Sequence, residues 1–110
     1  MNPYALLAAA IASELVATVS LKLSEGFSNP LPSVGVVVGY GAAFVLLSFV
    51  LEELPVGLVY ATWAALGIVG IAAVGVVAFG ETVDLAGVAG IASIILGVVL
   101  LNVVSGMSAH

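Results

Sequence analysis

The sequence predicts an all-α membrane protein with four transmembrane helices in up-down-up-down order, and three observations carry that expectation. Of 110 residues, 64% are hydrophobic and 6% are charged, whereas an ordinary soluble domain carries roughly 25% charge and 45–50% apolar residues. Seven charged side chains are too few to cover a soluble surface, and the mean hydropathy is +1.41. Those charges, Glu14, Lys22, Glu25, Glu52, Glu53, Glu81 and Asp84, punctuate four apolar stretches of 18 to 24 residues. Such lengths match the ~20 residues that cross a ~30 Å hydrocarbon core as a helix.

The first helix is expected over about 4–21. It is not expected to be a cleaved leader, because Met1-Asn2-Pro3 has no basic residue and Glu14 would interrupt the apolar core. Lys22–Pro32, rich in turn residues, ends it. The second helix is expected over about 33–51 and stops before Glu52-Glu53-Leu54-Pro55, and the third covers about 56–79. Gly80–Asp84 then leads into a fourth at about 85–104. Backbone groups in lipid must be satisfied within the segment, and the alternation that a strand needs is absent. Short connections imply antiparallel neighbours. Nothing is left over for a soluble domain, so residues 1–110 are expected to form a single transmembrane domain, multi-pass in the cell (plasma) membrane. Only Lys22 counts for the positive-inside rule, so orientation is weakly specified.

Composition also excludes chemistry. There is no cysteine and the only histidine is the terminal His110, which removes disulfides, thiolate metal sites and thiol catalysis. No nucleophile–base pair, metal-ligand cluster or phosphate loop with a basic residue is present, so no enzyme, metal or cofactor is expected. The net charge of −5 is scattered, and nucleic acid is not an expected partner.

Glu14 is the one charged side chain deep inside a span. It lies ten residues after Tyr4, about 15 Å along the helix and near the bilayer midplane. A charge there costs roughly 2.5–3.5 kcal/mol on insertion scales, and such residues mark ion or proton paths. A proton relieves that cost, and so does a cation beside the carboxylate, but not both together. That exclusivity is the physical core of proton-coupled antiport. Ala10, Ile11, Ala17 and Thr18 flank Glu14 at helical spacing, and these mostly small residues are expected to leave room around it. The bland alternative is a carboxylate hydrogen-bonded to a neighbouring helix.

Tyr60 and Trp63 share a face of the third helix, with Gly67 four residues further on. Trp63 lies about 12 Å past Pro55, deeper than an interfacial belt. Tyr40 sits seven residues into the second span, whereas Tyr4 is placed as an interfacial anchor. An aromatic face holds a cation at roughly 0.5–2 kcal/mol, and packing between helices is the competing role. Gly35 and Gly39 form a G-x-x-x-G, and Gly90 and Gly97 share a face of the fourth helix. Four such slender helices hardly enclose a lumen alone, which points to a dimer.

The run Ala12–Phe27, with Glu14, Thr18 and the loop Ser24-Glu25-Gly26-Phe27, resembles the first helix and loop of the small multidrug resistance transporters. So do Pro32–Gly35, Pro55–Trp63 with Tyr60-Ala61-Thr62-Trp63, and Gly67-Ile68-Val69. The likeness continues collinearly through Asp84-Leu85, Gly90, Gly97 and Leu101-Asn102. It implies a dimer, antiparallel in the best-known members, in which two Glu14 carboxylates form one site. Protons and a lipophilic cation would compete there as the dimer alternates its opening between the two sides. It implies Tyr40, Tyr60 and Trp63 as aromatic substrate contacts, Ala10 and Thr18 as site lining, and Gly90 and Gly97 as the dimer seam.

Within that family, Ala10, Thr18 and Tyr40 are similar to the branch that exports quaternary ammonium and polyaromatic cations. The guanidinium exporters usually have Gly where Ala10 stands and Trp where Val16 stands. A guanidinium or polyamine exporter is therefore the alternative on the same fold. Outside the class, the alternatives are a rotor-ring proteolipid of a rotary ATPase and a non-transporting structural subunit. Ala43 replaces a common Ser, and Ala65 replaces the Gly at which the third helix kinks, leaving Gly67, with Gly70, as the expected kink. Asn29, Thr82 and Gly106 stand where loops often carry Arg or Lys, a composition resembling a halophile's proteome.

Overall fold

The computed structural model describes residues 2–106, and His110 lies outside them. Among the described residues the elements are helical: α1 Pro3–Leu23, α2 Pro30–Val50, α3 Val56–Phe79 and α4 Leu85–Val99, which a π-helical turn, Leu100–Val104, extends. All four spans, the last counted with its π turn, are long and apolar enough to cross a membrane. The chain is a four-span, multi-pass, all-α membrane protein.

Local chemistry sets the helix ends. The Asn2 side chain accepts a hydrogen bond from the Tyr4 N–H at 2.8 Å, and Asp84 Oδ1 accepts one from Gly87 N–H at 2.8 Å. Both are N-caps, satisfying donors that a first helical turn leaves open. α2 begins at Pro30, three residues before the boundary that hydropathy suggests, with Pro32 also in its first turn. Proline is tolerated there because the N–H it lacks has no intrahelical partner in that turn. Between α1 and α2 the backbone turns left-handed at Glu25, Gly26 and Phe27, with φ of 49°, 70° and 67°. Ser24, fully buried, ties this turn: its Oγ donates to Leu21 O at 2.7 Å and accepts from Phe27 N–H at 3.1 Å. α3 ends at Gly80, also left-handed (φ 66°), after which Glu81 N–H bonds back to Gly75 O.

The helices pack as two compact hairpins, the first running through Leu54 and the second from Pro55. In the first, Ser20 faces Gly35 and Ala17 faces Gly39, so α1 and α2 run antiparallel. Leu7, Ala10, Ile11 and Ala17 of α1 are buried, as are Val36, Gly39, Ala43 and Val50 of α2. The small residues flanking Glu14 are therefore occupied, since Ala10 and Ala17 are fully buried. At Ala17 the small side chain lets the α2 backbone approach closely at Gly39.

In the second hairpin, Leu58, Val59, Thr62, Ala65 and Gly75 of α3 are buried, but only Val98 of α4 is. Asn102 Nδ2 donates to Thr62 Oγ1 at 3.0 Å and to Val98 O at 2.8 Å. An open apolar groove of about 600 Å³ runs along this hairpin, bordered by Ala61, Ala64 and Ile68 on one helix and by Ile94, Gly97 and Leu101 on the other.

Candidate functional site

Glu14 lies midway along α1, half-buried. Thr18 follows one turn later, where the helical repeat brings an i+4 side chain onto the same face. Its Oγ1 donates to Glu14 Oε1 at 2.9 Å. The hydroxyl of Tyr40, on α2, lies 2.7 Å from the same Thr18 oxygen. Glu14, Thr18 and Tyr40 thus form a continuous hydrogen-bonded chain across the α1–α2 seam. Tyr40 in turn stacks on Phe44, one turn on, with ring centroids 6.3 Å apart and an interplanar angle of 20°.

The electrostatics of this hairpin are simple. From Pro30 to Val50, α2 carries no charged residue. Lys22, the one Lys or Arg in the chain, is eight residues beyond Glu14, about 12 Å along the helix axis. The Thr18 hydroxyl donates to the carboxylate and the Tyr40 hydroxyl stands behind it, yet neither supplies a positive charge. The arrangement can take a proton on Glu14 or a cation beside it. Among the described residues, no three His, Cys, Asp or Glu side chains cluster as metal ligands.

Of the other residues singled out by sequence, Ala10 is fully buried, one turn before Glu14. Tyr60, Trp63 and Gly67 stand on α3, in the second hairpin. Tyr60 is 75% exposed, Trp63 is half-buried, and the α-helix is continuous through Ala65 and Gly67. Gly90 is exposed and Gly97 half-buried on α4. A Cβ built on either would meet no atom within 4 Å, so no contact within the described chain requires glycine there.

Two features escaped the sequence reading. Phe44 carried a usable signal, its i+4 spacing from Tyr40. The Thr62–Asn102 bond had a weaker one, a lone amide in a span whose other residues are apolar or glycine apart from Ser93.

Comparison with known proteins agrees with this architecture. The family model described as Small Multidrug Resistance protein matches residues 2–94. Over 110 residues, all of both chains, the sequence is 46% identical to the quaternary ammonium compound-resistance protein QacE of Escherichia coli. It is 40% identical, again over the whole of both chains, to the multidrug transporter EmrE of Escherichia coli K12. To the multidrug resistance protein EbrB of Bacillus subtilis it is 48% identical over 96 residues, 87% of this chain and 82% of that protein.

Proposed function

The chain belongs to the small multidrug resistance family, and we propose that it is a proton-coupled antiporter, not an enzyme, exporting hydrophobic quaternary ammonium and polyaromatic cations. The observation that carries this reading is Glu14, a mid-membrane carboxylate with two hydroxyls along its hydrogen-bonded chain. A membrane carboxylate costs several kcal/mol unless something compensates it, and a proton or a lipophilic cation each does so alone. Loading one expels the other, and that exclusion couples the two fluxes.

The working unit is a homodimer, with a Glu14 from each protomer in one site that opens alternately to the two sides. α4 supports this, since little of its span is buried and Gly90 and Gly97 have no packing duty among the described residues. Small residues of this kind let membrane helices approach closely. QacE is named for resistance to quaternary ammonium compounds and EmrE as a multidrug transporter. Tyr40, Tyr60 and Trp63 offer aromatic faces suited to the same class here, with Thr18 and Ala10 beside the carboxylate.

Tetraphenylphosphonium binding to the purified protein tests the proposal. Binding releases protons into weakly buffered solution, and affinity rises with pH as the competing proton leaves Glu14. Glu14→Gln loses both binding and proton release. Tight binding by that variant, independent of pH, overturns the reading. In proteoliposomes, tetraphenylphosphonium and not guanidinium drives proton movement, and the reverse preference makes the chain a guanidinium exporter.

A further inference from the structure

We propose that Thr18 is a hydrogen-bond relay through which the Tyr40 hydroxyl responds to the protonation of Glu14. The inference rests on the antiport reading and deepens it, assigning Thr18 as a positioning residue between a titrating group and an aromatic one.

The argument follows from counting hydrogens. A threonine hydroxyl has one proton to give and lone pairs to accept with. Thr18 Oγ1 has two oxygen neighbours, Glu14 Oε1 at 2.9 Å and Tyr40 Oη at 2.7 Å. An ionised carboxylate only accepts, so Thr18 donates to Glu14 and the 2.7 Å contact is a bond donated by Tyr40. Every hydrogen then points toward Glu14.

With a proton on Glu14 Oε1, the carboxyl becomes the donor. Thr18 accepts from it and turns its own hydrogen to the Tyr40 oxygen, and the Tyr40 hydrogen turns out of the chain. The oxygens keep their places while both hydrogens reverse. No O–H bond breaks at Thr18 or Tyr40; the only proton gained is the one on Glu14.

The surroundings leave few competitors for this response. Tyr40 is the sole titratable side chain of α2, and α1 carries only Tyr4 and Lys22 besides Glu14. Stacking on Phe44 holds the Tyr40 ring, so reorientation falls to the hydroxyl hydrogen. In the ionised state that hydrogen is occupied and the ring face is left to a cation. In the protonated state the outward O–H presents the positive end of its dipole, which disfavours a cation there.

The test uses the full chain in lipid bicelles, labelled with carbon-13 at tyrosine Cζ and glutamate Cδ, with signals assigned by Tyr40→Phe and Glu14→Gln. In the wild type, the Tyr40 signal moves with pH in step with the Glu14 carboxyl. In Thr18→Val the Glu14 signal still titrates and the Tyr40 signal stays flat, and Thr18→Ser restores the coupling. A flat Tyr40 signal across the wild-type Glu14 titration overturns the relay. So does a Tyr40 signal that still follows Glu14 in Thr18→Val, or a failure of Thr18→Ser to restore it. A Glu14 carboxyl that takes up no proton overturns the antiport reading itself.

Discussion

Gly39 of α2 lies against Ala17 of α1 so closely that a Cβ on the glycine would sit 2.8 Å from the alanine Cβ and 3.1 Å from its backbone nitrogen. Backbone cannot move aside as a flexible side chain does, so Gly39→Ala must push the helices apart at a point one turn from Glu14. Overpacking of this kind costs about 1–3 kcal/mol. The expected outcome is a destabilised protein in denaturant titrations in detergent micelles, with weaker tetraphenylphosphonium binding. Gly41→Ala is the control. A Cβ there meets nothing within 4 Å, and the higher helix propensity of alanine makes it neutral or slightly stabilising.

That contact also marks where sequence reasoning stopped. The four spans were legible because hydropathy and length constrain a lipid-embedded chain so strongly, and Glu14 was legible because a carboxylate in such a span needs a reason. The start of α2 was misplaced because Pro30 and Pro32 signal a turn in most contexts but fit a helix's first turn equally well. Gly35 and Gly39 were visible as a motif, yet periodicity does not say which helix meets them; α1 does, through Ser20 and Ala17. Nor does the run Leu100–Val104 disclose its π turn, which the bond from Ser105 N–H to Leu100 O closes.

Asp84 separates structural acids from functional ones. Its carboxylate caps α4 through Gly87 N–H, and loss of an N-cap costs about 0.5–2 kcal/mol. Asp84→Ala is expected to lower stability by that amount, measured by denaturant titration, while Asp84→Asn, which keeps the acceptor, is nearly silent. Neither changes proton release on cation binding. A loss of release in Asp84→Asn would place this acid in the coupling pathway.

The Thr62–Asn102 bond joins α3 to the π turn that follows α4. Hydrogen bonds between membrane helices contribute about 0.6 kcal/mol on average and about 1.7 kcal/mol at most. A double-mutant cycle of Thr62→Val and Asn102→Leu should return a coupling energy in that range. Asn102→Leu also removes the second bond, to Val98 O, so its single effect should exceed that of Thr62→Val. Purely additive effects would mean that the two side chains do not stabilise each other in the membrane.

Tyr60 offers the clearest test of the aromatic contribution, because its side chain is 75% exposed and little of it is packed. Replacing it therefore changes ligand contact more than folding. If its ring face holds the cation, Tyr60→Leu weakens tetraphenylphosphonium binding by about 2- to 30-fold, the equivalent of roughly 0.5–2 kcal/mol. Tyr60→Phe keeps the ring and should bind within about two-fold of the wild type. Thermal stability in detergent should be the same for all three proteins, which separates a lost contact from a lost fold. Equal weakening by Phe and Leu would assign the effect to the hydroxyl, and no weakening by Leu would remove Tyr60 from the cation's path.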